Sequence, residues 1–264
     1  MRRNLVRLKR LPQRAGFGVQ SPFAFSLITH LIHDRTPFYS FGELKAKEKE
    51  WTGDSVHGKV ENNEPLYLKQ LLFKLVNFAQ PQTILHAGIP SAASLYLLAA
   101  KRNTIYRFCG EEEAESRNCT KEESLAAEQV VKEEKSRTEA TPSVEQKVKG
   151  EVKQTEESLV TEKREKEEAR KSKEAQEEQG TIDFLYLHHF RQPEYVRELF
   201  QRCAAQANDR SLFVVHGIQY SREMRRLWEE MKAHPAVKVT FDLYDAGLLF
   251  FDPKKQKQHF VVGF

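Results

Sequence analysis

The chain has 264 residues, with 42 Lys and Arg against 38 Asp and Glu, a formal net charge of +4. That length allows one large domain or two small ones. No apolar run approaches membrane-spanning length. The basic N-terminus (Arg2, Arg3, Arg7, Lys9, Arg10, Arg14) lacks the apolar core of a signal peptide. The expectation is therefore a soluble, cytoplasmic protein without membrane partners.

The average charge hides two unlike compositions. Residues 111–179 contain no Phe, Tyr or Trp, so all 27 aromatics lie elsewhere. That segment holds 21 Glu and no Asp against 14 Lys and Arg, a net −7, and the remainder carries +11. It cannot bury enough apolar surface to offset chain entropy. Runs such as EKREKEEARKSKEAQEEQ at 162–179 favour a solvated helix or disorder. Its valines and leucines keep no heptad register, so a coiled coil is not expected. Cys109, Cys119 and Cys203 have no metal-ligand spacing and are odd in number, which fits a reducing compartment. The organisation expected is a basic arm at 1–15, a first domain part at 16–110, a charged low-complexity insertion at 111–179 and a second domain part at 180–264.

Along the chain, Ser21 and Pro22 mark a helix start. Residues 34–64 read as loop, with some helix around 43–49. Residues 64–80 form an amphipathic helix whose buried stripe is Leu68, Leu71, Leu72, Leu75 and Val76, stopped by Pro81. A strand follows at 82–86, then a small-residue turn at 87–91, a helix at 91–102 and a strand at 104–109. Structure resumes at 181 with TIDFLYLHH, a run typical of a buried parallel strand. A helix at 194–207, a strand at 211–216 and a helix at 222–233 come next. Strands at 237–244, 246–251 and 258–264 close the chain. Strands alternating with helices, with an antiparallel pair at the end, imply an α/β three-layer fold.

This order resembles the class I S-adenosylmethionine-dependent methyltransferase superfamily. The tail HGIQYSREMRRLWEEMKAHPAVKVTFDLYDAGLLFFDPKKQKQHFVVGF and the opening GFGVQSPFAFSLITHLI resemble its small-molecule O-methyltransferase-like group. The resemblance covers about 1–110 and 180–264. It implies a three-layer Rossmann-like sheet, mostly parallel with a C-terminal antiparallel hairpin, the first strand beside the fourth and the fourth beside the fifth. It also implies S-adenosylmethionine as cofactor and methyl transfer to a small molecule. The cofactor loop is degenerate. His86 stands where such enzymes carry an acid, and Ala87, Gly88, Ile89, Pro90 and Ser91 replace a loop with several glycines. The resemblance assigns cofactor contact to His86, Ala87, Gly88, Ile89 and Ser91, and the ribose hydroxyls to Glu111.

His86, His188 and His216 each fall at the carboxyl end of a strand, the edge where open α/β sheets bind ligands. Together they could hold Zn²⁺ or act as acid and base. Local hydrogen bonding without a metal is the reading adopted for them. Were the enzyme active, His188 or His216 would be the base for an acceptor hydroxyl. The alternative function is a non-catalytic scaffold that uses the charged insertion as a partner-binding arm. Nucleic acid is not expected, because the basic residues of the arm interleave with Leu and no binding motif appears. Asp183 is expected to cap or pair at the start of its strand. Trp228 is expected in the core.

Overall fold

A computed structural model describes residues 19–53, 64–110 and 181–263. The basic arm and the charged insertion, with Glu111 and the scaffold alternative built on the insertion, lie outside the described residues.

Local chemistry sets the helix ends. Helix α1 (Pro22–Leu27) begins at Ser21, whose Oγ accepts from the Ala24 N–H at 3.4 Å, and Pro22 opens its first turn. A π-helical turn, Ile28–Ile32, continues it. Helix α2 (Ser40–Gly53) is longer than the short helix expected there. Among its residues of described burial only Leu44 is buried, against Phe73 and Tyr96. Polar contacts fix the rest: Glu48 pairs with Lys69 and accepts from the Tyr96 hydroxyl at 3.0 Å. Helix α3 (Leu66–Ala79) buries the expected stripe and ends on Gln80 in the left-handed conformation, just before Pro81. After strand β1 (Thr83–Gly88) come helix α4 (Ala93–Ala99) and strand β2 (Ile105–Cys109).

The second part runs strand β3 (Phe184–His188), helix α5 (Pro193–Ala205), strand β4 (Leu212–His216) and helix α6 (Arg222–Ala233). Ser221 caps α6 by accepting from the Met224 N–H at 3.0 Å. Strands β5 (Val239–Asp242), β6 (Ala246–Phe250) and β7 (Gln258–Val261) complete it.

The seven strands form one sheet in the order β2-β1-β3-β4-β6-β5-β7. Only β6 runs against the others, inserted between β4 and β5. This is the mostly parallel Rossmann-like sheet with an antiparallel hairpin near its end. The expected adjacencies of β1 to β3 and β3 to β4 are present.

Strand alternation divides the interior into two layers. Ile84, Phe184, Tyr186, Leu212 and Val214 face α1, α3 and α4. Leu85, Leu185, Leu187, Phe213 and Val215 face α5 and α6, where Trp228 packs with Met224 and Met231. A Cβ on Gly247 would meet the Trp228 indole at 2.4 Å, so glycine is required there. Helix α4 follows β1 on one face and α5 follows β3 on the other. The connection therefore reverses between β1 and β3, and the carboxyl ends of strands at such a reversal are where open α/β sheets bind ligands.

Candidate functional site

The residues at this edge come from four separated stretches of chain. Register sets their heights. Gly88 is level with His188, and Leu187 with Val215, so His188 and His216 share one layer. His86 pairs with Tyr186, one layer deeper. It is thus not at the strand tip as expected, because β1 continues through Ala87 to Gly88. Two-residue alternation puts His86, Tyr186, His188 and His216 on the α3 side, in line with Ile84, Phe184 and Leu212.

The loop after β1 is pressed onto the end of β3. Gly88 has φ +119°, and a Cβ there would lie 2.3 Å from the His188 carbonyl oxygen. Only glycine takes this conformation at that approach. The Ile89 N–H donates to the same carbonyl at 3.0 Å. Pro90 has no N–H to offer. Ser91 is buried and its hydroxyl donates to Glu64 Oε1 at 2.7 Å.

Glu64 is the residue that sequence reasoning missed. It is 4 % exposed and precedes α3. Its Oε1 also accepts from the Tyr186 hydroxyl at 2.6 Å and lies 3.3 Å from His188 Nδ1. Burial, then the Glu64 carboxylate, pushes the Tyr186 phenol well above its ordinary value, so it stays protonated and donates. Nothing in ENNEPLY separates Glu64 from Glu61 by pattern, so no signal in the sequence points to it.

The three histidines do come together. The His188 and His216 ring centroids are 4.9 Å apart, and those of His86 and His188 are 6.5 Å apart. Tyr106 on β2 holds His86 Nδ1 at 2.7 Å. Burial, then the neighbouring His188, pulls both His86 and His216 down from 6.5 to about 3. Both rings are neutral at pH 7. Glu64 Oε2, His86 Nε2 and His216 Nδ1 are buried here with no hydrogen-bond partner among the described residues, as is Trp228 Nε1 in the core. Buried polar atoms are seldom left so.

The remaining sequence-level candidates are structural. Asp183 pairs at the amino end of β3, Asp242 accepts from the Tyr244 N–H at 2.8 Å, and Trp228 is core. No described helix is long and apolar enough to cross a membrane.

No family model matches the chain, and no characterised protein matches it significantly by sequence. Solved structures do match by shape. An O-methyltransferase from Bacillus cereus in complex with SAH is 12% identical, covering 81% of this chain and 91% of that one, with a TM-score of 0.38. The O-methyltransferase of tomaymycin synthesis from Streptomyces achromogenes, in complex with SAM, is 13% identical over 82% and 91% of the two chains, with a TM-score of 0.40. The SAH-bound methyltransferase from Podospora anserina is 8% identical over 88% and 96%, with a TM-score of 0.43. The adjacencies of β1 to β3 and of β3 to β4, and the antiparallel hairpin near the end of the chain, are the features that its resemblance to the class I methyltransferases implies.

Proposed function

We propose that this protein is a class I methyltransferase relative that binds S-adenosylmethionine at the carboxyl ends of β1 and β3 and acts on a small-molecule hydroxyl. The observation that carries the reading is the group of buried polar atoms without partners among the described residues, Glu64 Oε2, His86 Nε2 and His216 Nδ1, at the connection reversal below a glycine-dependent loop.

The residues fit the cofactor at its cationic end. Glu64 Oε2 is a buried atom without a partner among the described residues, and in the metal-free protein it is suited to meet an ammonium group. His86, Ala87, Gly88, Ile89 and Ser91 would hold the amino-acid end, and Glu111 the ribose. When bound, S-adenosylmethionine supplies an electrophilic methyl group. His188 and His216 would take the proton of the acceptor hydroxyl. With His216 pulled down to about 3, its lone pair is free but it is a weak base. Transfer would then rest mainly on positioning, and turnover is expected to be slow.

The test is calorimetric titration of the metal-stripped protein with S-adenosylmethionine and S-adenosylhomocysteine. Saturable binding that disappears in Gly88→Arg supports the proposal. An absence of both heat and thermal shift overturns it.

A further inference from the structure

Glu64, His188 and His216 are all buried, and each offers one ligand atom within 4.8 Å of the other two. Two imidazoles and one carboxylate are a donor set that suits zinc and its neighbours in the transition series. It does not suit Mg²⁺ or Ca²⁺, which take oxygen donors. We infer that these three residues form a binding site for a single transition-metal ion of the Zn²⁺ class, with at least one coordination position left open. The inference stands on this donor set and not on cofactor binding.

Four observations carry it. First, the spacing is close to what coordination needs. Bonds of about 2.0–2.2 Å to a tetrahedral ion place donors roughly 3.4 Å apart, and one ligand atom from each of the three residues already lies within 4.8 Å of the other two. Second, Glu64 Oε2 and His216 Nδ1 are buried without a hydrogen-bond partner among the described residues. They are available to a ligand that is not a proton donor. Third, Glu64 is already held in place. The Ser91 and Tyr186 hydroxyls both donate to Oε1, which fixes the carboxylate and leaves Oε2 open. Such outer hydrogen bonds orient metal ligands and strengthen binding. Fourth, Glu64 pairs with no Lys or Arg among the described residues, and the ionisable base beside its carboxylate is His188. A divalent cation would balance the charge of the carboxylate.

The sequence suggested a different trio. His86 is excluded because its Nδ1 is engaged by Tyr106 and its ring lies one layer deeper, 6.5 Å from His188. Glu64 takes its place. A metal held there would occupy the lone pairs of His188 and His216, so their proposed role as bases describes the metal-free protein.

The experiment uses the full chain, stripped with a chelator and titrated with Zn²⁺, and with Co²⁺ as a spectroscopic probe. One equivalent of Co²⁺ should bind with intense visible bands of low coordination number and be displaced by Zn²⁺. His216→Ala and Glu64→Gln should each abolish those bands and weaken Zn²⁺ binding by more than about 100-fold, while Tyr186→Phe should cost about 10- to 100-fold. His57 and the cysteines bring metal affinity of their own, so the difference between wild type and variant is the readout. Zn²⁺ affinity and cobalt spectra unchanged in both ligand variants would overturn the inference, as would a wild type that binds no metal. Thermal unfolding confirms that each variant is folded. Should His216→Ala fail that check, the nearly isosteric Glu64→Gln decides. The cofactor titration is run on stripped protein, so failure of one proposal leaves the other's result standing.

Discussion

The two ends of the same strands are both polar, and they differ in one respect. At the amino end of β3, Asp183 Oδ2 accepts from the Gln82 and Thr83 N–H groups at 2.8 and 3.2 Å, and Oδ1 accepts from Asn208 Nδ2 at 2.9 Å. Ser211 closes the set by donating to the Ile182 carbonyl at 2.7 Å and accepting from the Asn208 N–H at 2.8 Å. Here one carboxylate ties three chain segments together, and both of its oxygens are used. At the carboxyl end, Glu64, His86 and His216 are as buried or more so, yet each keeps an atom without a partner among the described residues. A fully bonded polar group stabilises the fold. A buried one left incomplete costs stability, and proteins tolerate that cost where they bind something.

Acidification should separate the two ends most strongly. His86 and His216 titrate at an ordinary 6.5 when unfolded and at about 3 when folded, because burial and His188 disfavour their charged forms. Between those values the unfolded chain binds more protons, so stability is complete above 6.5 and is lost as pH falls toward 3. Inside that window each ring contributes a slope of about 1.4 kcal/mol per pH unit. Thermal unfolding from pH 7 to pH 4.5 should therefore show a steep fall in Tm. The fall should be shallower in His216→Gln and in His86→Gln. A variant with the same slope as wild type would mean that its ring is not buried neutral.

Much of this contrast was readable in the sequence, and the unread part has a physical cause. The helix from Leu66 to Ala79 and the strands TIDFLYLHH and SLFVVH follow from periodicity, because each apolar side chain needs only to face the right way. The same alternation places His86, His188 and His216 on one face, two-residue steps from Ile84, Phe184 and Leu212. Their convergence was therefore legible. The depth of His86 was not, since it depends on where β1 ends, and that is set by the contact of Gly88 with the His188 carbonyl. Glu64 was invisible for a stronger reason. Its role comes from hydroxyls 27 and 122 residues away, on Ser91 and Tyr186. Helix α2 was underestimated likewise, since Glu48 anchors it to Lys69 and Tyr96 and not to an apolar stripe.

The next effect in size should come from Asp183→Ala. It leaves the Gln82 and Thr83 N–H groups and the Asn208 amide without their acceptor, a loss of about 2–4 kcal/mol given charged hydrogen bonds of this kind. Asp183→Asn should recover part of it by restoring one acceptor. Tm reads the stability change. Cobalt binding at the other end of the sheet should stay unchanged in both variants if the ends are independent. A cobalt spectrum that moves with Asp183→Asn would show that the amino end holds the metal donors in place and would blur the division between the two ends.

The smallest stability change, and the most telling, is expected for Glu64→Gln. The amide keeps an oxygen for the Ser91 and Tyr186 hydroxyls but loses the charge. Were Glu64 a structural partner of His188, breaking a buried pair would cost about 3–5 kcal/mol. If instead the carboxylate is held ready for a cation, removing its desolvation penalty should leave stability in the metal-free protein within about 1 kcal/mol of wild type, or raise it. Denaturant unfolding of stripped wild type and variant measures this directly. A near-neutral result combined with lost metal binding assigns Glu64 to the ligand. A large loss assigns it to the fold, and the carboxyl end would then be a second structural end.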